Sequence, residues 1–132
     1  MERLDKIFKN KKPIIGMVHL RPLPGSPLYD PTTMGMEKIL ETAREEAKML
    51  EAAGVDGVQV ENMWDIPYLQ GEKIGPETVA ALALGVHEVK KAVSIPVGAE
   101  CHMNGADKAL ACAVAGGASW VRVFEWCNAF IS

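Results

Sequence analysis

Polar and titratable residues recur at one kind of place in this 132-residue sequence, the end of a short apolar run. His19 closes Ile14-Ile15-Gly16-Met17-Val18-His19-Leu20. Glu61 and Asn62, with Asp65 just beyond, close the run from Val55. Glu100 and His102 close the run from Val97. Arg122, Glu125 and Asn128 lie in or just after Trp120–Trp126. Two carboxylates beside an imidazole can divide general acid and general base work once their surroundings pull their pKa values apart. Arg122 can neutralise one carboxylate or grip an anionic substrate group with two parallel hydrogen bonds. We take Glu61, Glu100 and His19 as candidate catalytic residues, and Asn62, His102, Arg122, Glu125 and Asn128 as candidate substrate contacts. His19, Glu61, Glu100 and His102 are also ligand types that suit zinc or manganese. They form no close-spaced ligand motif, so no metal is assigned, and no residue pattern names a cofactor.

Each candidate has a plainer reading. A histidine after an apolar strand is as readily structural as catalytic. Arg122 suits an interior salt bridge better than a catalytic role. Asp56 and Asp65 read as turn residues, and Trp64, Trp126 and Phe130 as packing residues before pocket walls. Glu61 with Asn62 is the strongest case, because charged side chains are almost never fully buried unless paired.

The elements that must position these residues alternate regularly. Ile14–Leu20 is a compact apolar run of the kind a parallel strand buried on both faces shows. Arg21 to Gly35 carries Pro22, Pro24, Gly25, Pro27, Pro31 and Gly35, which excludes helix and strand and leaves a long loop, a connector or a lid. Met36 to Ala53 predicts a helix, with Met36, Ile39, Leu40, Ala43, Ala47 and Leu50 at helical spacing and Gly54 at its end. Val55–Asn62 is the second strand and Met63–Gly75 a second loop. Pro76 and Glu77 open a helix whose stripe is Val79, Leu82, Val86, Val89 and Val93, with Lys90 and Lys91 at its negative end. Val97–Cys101 is the third strand. A third, Ala-rich helix runs from Gly105 to about Ala115, capped by Asn104. Trp120–Trp126 is the fourth strand. Ala53-Gly54-x-x-x-Val58-x-Val60 is repeated weakly by Gly116-Gly117-x-x-x-Val121-x-Val123.

Composition narrows the class. The chain is 48% apolar with a net charge of −3, which supports a real core and offers no basic face to nucleic acid. No apolar run reaches the roughly 20 residues of a membrane-spanning helix. The N-terminal residues lack a signal-peptide pattern, and Cys101, Cys112 and Cys127 form no C-x-x-C pair. Both features lead us to expect a reducing, cytoplasmic setting.

Strict strand–helix alternation implies parallel strands with right-handed crossovers. The strands carry polar residues at alternate positions: Gln59 and Glu61; Glu100 and His102, on one face with Gly98; and Arg122, on one face with Phe124. A sheet covered by helices on both faces would bury these against apolar surface at several kcal/mol per unpaired charge. A barrel lumen lets acid and base meet, and no glycine-rich phosphate fingerprint favours a dinucleotide fold. The expected class is therefore α/β, the first four βα units of a (β/α)8 TIM-type barrel. Residues 1–132 read as its N-terminal half, either truncated or completed by a second copy.

Three segments carry a family resemblance. Gly16-Met17-Val18-His19-Leu20-x-Pro22-Leu23-Pro24-Gly25-Ser26-Pro27, Gly54-Val55-Asp56-Gly57-Val58-x-Val60-Glu61-Asn62 and Pro76-Glu77-Thr78-Val79-Ala80-Ala81 resemble the BtpA/SgcQ family, in the right order. The resemblance implies a TIM barrel about twice this length. The family takes its name from a factor linked to photosystem I biogenesis, and other members are described as predicted barrel enzymes. The function expected is acid/base catalysis on a small sugar- or nucleoside-like substrate, phosphorylated or not. The alternatives are a non-catalytic assembly factor for a membrane complex, or an inactive fragment. The partners expected are a small-molecule substrate and a second copy or a missing C-terminal half, without nucleic acid or membrane insertion.

Overall fold

The computed structural model describes residues 4–124. After a short 3-10 turn at Leu4–Lys6 the elements are β1 (Ile15–His19), α1 (Met36–Ala52), β2 (Gly57–Glu61), α2 (Pro76–Ala92), β3 (Val97–Glu100), α3 (Ala106–Gly116) and β4 (Trp120–Val121). All strand pairs are parallel and the order is β1-β2-β3-β4. Each crossover steps the same way across the sheet, so right-handed connections place the three helices on one face. The packing agrees. Val18, Val58, Val60, Val97 and Ala99 are fully buried in one cluster with Ile39, Ala43 and Ala47 of α1, Leu82, Val86 and Val89 of α2, and Cys112 of α3. Each such valine or leucine contributes about 1.5–3 kcal/mol by leaving water. The described residues thus form a four-stranded parallel α/β sheet, consistent with half a barrel.

Local chemistry sets the element ends. Gly54 follows α1 with a φ of 89° and Gly117 follows α3 with a φ of 80°, the left-handed region that glycine enters without Cβ strain. Pro76 stands in the first turn of α2, and Lys90 and Lys91 in its last. Glu51 reaches from α1 to the loop before β3, where one carboxylate oxygen accepts from the Ser94 N–H (2.9 Å), the Ser94 hydroxyl (2.6 Å) and the Ile95 N–H (3.2 Å). Arg44 of α1 pairs with Glu88 of α2 at 2.9 Å.

Two expectations are corrected. Asn104 does not cap α3: it has a φ of 60°, and Gly105 takes the cap position without a side-chain hydrogen bond. An N-cap residue leads into the helix with a negative φ, as Gly105 does at −90°, which Asn104 in the left-handed region does not supply. Among the described residues the expected fourth strand, Trp120–Trp126, is strand only at Trp120 and Val121, which pair with β3. Beyond them Arg122 still donates its N–H to the Ala99 carbonyl, at 3.1 Å.

Candidate functional site

With the helices on one face, the other face of the sheet collects the polar side chains in two layers. Register places Met17, Gln59, Gly98 and Trp120 side by side, and one step further along the strands His19, Glu61 and Glu100. This second layer lies at the C-terminal ends of the strands, where barrel enzymes carry their sites. Glu61 and Glu100 are each 1% exposed and His102 is 4% exposed.

Gln59 organises the pair. Its Oε1 accepts from the Trp120 indole N–H at 2.8 Å, which orients the amide. Its Nε2 then donates to Glu61 Oε1 (3.2 Å) and to Glu100 Oε2 (3.1 Å). Arg122 reaches the same two oxygens, Nη1 lying 3.3 Å from Glu61 Oε1 and Nε 3.3 Å from Glu100 Oε2. The other two oxygens face His102, whose Nε2 is 3.2 Å from Glu61 Oε2 and 3.6 Å from Glu100 Oε1. His19 stands at the open side, its Nε2 3.9 Å from Glu61 Oε2 and its side chain 38% exposed.

The carboxylates are shifted in opposite directions. Burial pushes Glu61 up, but the hydrogen bond from His102 and the charges of Arg122, His102 and His19 outweigh it and hold its carboxyl below the usual range. Glu100 is raised, first by burial and then by the neighbouring charge of Glu61. Two nearby carboxylates with one proton-favouring and one proton-shedding environment are the pattern acid/base sites show.

His102 is placed by groups of the second strand and loop. Asn62 Oδ1 accepts from the His102 N–H at 2.7 Å, and Asn62 Nδ2 donates to the His102 carbonyl at 3.1 Å. Asn62 Nδ2 also donates to Asp65 Oδ2 at 3.0 Å, and Asp65 Oδ1 accepts from the Leu23 N–H at 2.7 Å. Asn62 is therefore a positioning residue, with its amide engaged on both sides. Asp65 does more than turn the chain: it is buried and ties the proline-rich loop to the site. Its burial raises its carboxyl despite those two hydrogen bonds. The Tyr68 ring stacks on His102 at 5.4 Å between centroids and 27° between planes, and Phe124 packs against His102 at 5.3 Å.

A cavity of about 100 Å3 adjoins His102 and Asn62, walled by Gly25, Ser26 and Pro27 of the proline-rich loop and by Asp65, Pro67, Leu69, Ile74 and Thr78. Thr78 of α2 fastens that loop by donating to the Pro24 carbonyl at 2.9 Å. Trp64 is 44% exposed and carries the Arg21 guanidinium, itself paired with Glu46, 6.0 Å above its ring.

The structure thus brings together Glu61, Glu100, His102, Arg122, Asn62 and, at the rim, His19. Glu125 and Asn128 lie outside the described residues, as do Trp126, Cys127 and Phe130. Cys101 and Cys112 are buried and free, their thiols pushed up by burial to about 12 and about 11. Sequence reasoning placed Gln59 inside but gave it no role. It missed Trp120 and Tyr68, although Tyr68 follows a strand end, where site-facing loops begin.

The sequence pattern of the BtpA family matches residues 10–132. The chain belongs to that family. It is 41% identical over 114 residues to an uncharacterized protein of Pyrococcus furiosus, covering 86% of this chain and 42% of that protein. It is 38% identical over 120 residues to the photosystem I biogenesis protein BtpA of Synechocystis, covering 91% and 40%. It is 36% identical over 98 residues to the putative sgc region protein SgcQ of Escherichia coli, covering 74% and 35%. This BtpA-family chain therefore spans about two fifths of the length of the curated relatives it matches first. No solved structure matches it significantly. Among the described residues no helix is long and apolar enough to cross a membrane.

Proposed function

We propose that this chain carries the first four units of a (β/α)8 barrel and, at their strand ends, part of the active site of an enzyme. Its chemistry is proton transfer on a small sugar- or nucleoside-like substrate, phosphorylated or not. One observation carries the reading: two buried carboxylates from adjacent strands, Glu61 and Glu100, face a single imidazole, His102, beside a cavity. Charged groups at that depth cost several kcal/mol unless paired, so a fold keeps them where they serve something. His19, at the exposed rim, is the group best placed to exchange a proton with substrate. Arg122, 48% exposed at its side chain, can turn from its carboxylates to an anionic substrate group. The remaining strands come from the rest of a longer protein or from a second copy, a reading supported by the partial coverage of the relatives. The buried free thiols support a reducing, cytoplasmic setting.

The test is Glu61→Gln in the full-length protein, screened on small sugar phosphates, sugars and nucleosides. Loss of turnover by about 100-fold or more, with the fold intact by circular dichroism, is the expected result. Undiminished turnover overturns it.

A second reading rests on the similarity to the Synechocystis photosystem I biogenesis protein. In it the barrel is a binding scaffold for assembly of a membrane complex. Replacement of that relative by a full-length Glu61→Gln protein that still supports assembly favours the scaffold.

A further inference from the structure

We propose that Glu61, Glu100 and His102 form a binding site for one divalent first-row metal ion, of the zinc or manganese class. The proposal deepens the enzyme reading by naming what the cluster holds, and rests on that reading only for its catalytic use. One ligand atom from each of the three residues lies within 4.8 Å of the others, and all three residues are buried.

The two separations from the imidazole lie within about 0.2 Å of the range an ion sets. With metal–ligand bonds of about 2.1 Å, neighbouring ligand atoms stand about 3.0–3.4 Å apart at right or tetrahedral angles. His102 Nε2 lies 3.2 Å from Glu61 Oε2 and 3.6 Å from Glu100 Oε1. The donor set, two carboxylate oxygens and one imidazole nitrogen, suits both metals.

The oxygens are also sorted. Gln59 and Arg122 take Glu61 Oε1 and Glu100 Oε2, the outer pair. That leaves Glu61 Oε2 and Glu100 Oε1 turned toward the imidazole. Holding the non-ligating oxygen of a carboxylate by a neighbouring donor is how outer residues orient a metal ligand. A second observation is independent of this sorting. Glu100 Oε1 is buried and has no hydrogen-bond partner among the described residues, which is costly for a carboxylate. A proton on His102 Nε2 points at one carboxylate or the other and cannot serve both. One ion bonds both oxygens and the imidazole together, and its two positive charges add to those of the half-exposed Arg122 in offsetting the carboxylate pair.

The experiment strips the full chain with a chelator and titrates it with Zn2+ and, separately, Mn2+, by calorimetry and by manganese paramagnetic resonance. The expected result is one ion per chain. Glu100→Gln and His102→Gln weaken binding by about 100-fold or more. Gln59→Met leaves the ligands in place and weakens it by about 10- to 100-fold. Glu88→Gln, on the helical surface, leaves it unchanged. Absence of a stoichiometric ion in the wild-type chain overturns the proposal whether or not the variants fold, and so does binding that ignores both Glu100→Gln and His102→Gln. Binding is read without turnover, so the two readings fail separately. A chelated protein that keeps full activity sinks the metal and spares the enzyme. A bound ion in a protein whose Glu61→Gln variant loses no activity spares the metal and sinks the enzyme.

Discussion

Gly98→Ala tests the layer beneath the carboxylates. A Cβ added at Gly98 meets Trp120 Cε2 at 2.2 Å, Nε1 at 2.3 Å and Cζ2 at 2.6 Å. Comfortable carbon contacts are about 3.5–4.0 Å, so the indole must retreat by about 1 Å. Its 2.8 Å bond to Gln59 Oε1 then stretches beyond hydrogen-bonding range. Overpacking costs about 1–3 kcal/mol and the lost bond, with a buried amide oxygen left bare, about 1 kcal/mol or more. The sum is about 2–4 kcal/mol. At roughly 4 °C per kcal/mol for a chain of this size, Tm falls by about 8–16 °C. Thermal and urea unfolding of the purified full chain measure both figures. The double-mutant cycle with Trp120→Ala is the sharper assay, since the added methyl then meets open space and costs little beyond Trp120→Ala alone. Additive costs, or a Gly98→Ala penalty under about 0.5 kcal/mol, would show that the indole does not lie over Gly98.

Other predictions follow from the same contacts. Asn62→Ala removes both hydrogen bonds that hold the His102 backbone and bares a buried N–H, so it destabilises by about 2–4 kcal/mol in urea unfolding. Gly54→Ala meets nothing within 4 Å but keeps a φ of 89°, so it costs about 1–2 kcal/mol from backbone strain alone, read from Tm. The Glu51 carboxyl is lowered, chiefly by the Ser94 hydroxyl and N–H, so its contribution is present above the unfolded pKa and lost as pH falls through the folded one. Urea midpoints of wild type and Glu51→Gln therefore differ near neutral pH and converge on acidification below the ordinary carboxylate range. Cys101 and Cys112, buried and raised to about 12 and about 11, resist thiol labelling at about pH 8 in the native chain and react once it unfolds, as peptide mass spectrometry reads.

The sheet's two faces were legible in the sequence because side chains in a strand alternate with a period of two. Val58 and Val60 against Gln59 and Glu61, and Ala99 against Gly98 and Glu100, sort themselves before any strand is paired. Helix ends were legible where glycine or proline chemistry fixes them, at Gly54, Pro76 and Gly117. Asn104 misled because asparagine serves both as a helix cap and as a left-handed turn residue, and only the backbone distinguishes the two. Register was not legible. That Gln59 sits beside Gly98, and Gly98 beside Trp120, depends on how strands slide against each other, so the indole–amide–carboxylate chain was out of reach. The engagement of Asn62 with the His102 backbone likewise depends on two loops meeting, 40 residues apart in sequence. The three-residue convergence was foreshadowed by type, yet its ligand spacing is a property of the folded sheet alone.

A crystal structure of the full-length protein tests the account most directly, through the positions of two carboxyl groups and one imidazole. The account predicts Glu61 and Glu100 on the helix-free face, both within hydrogen-bonding reach of Gln59 Nε2 and within about 4 Å of His102 Nε2. Carboxyl groups on opposite faces of the sheet, or an imidazole turned away from both, would contradict it.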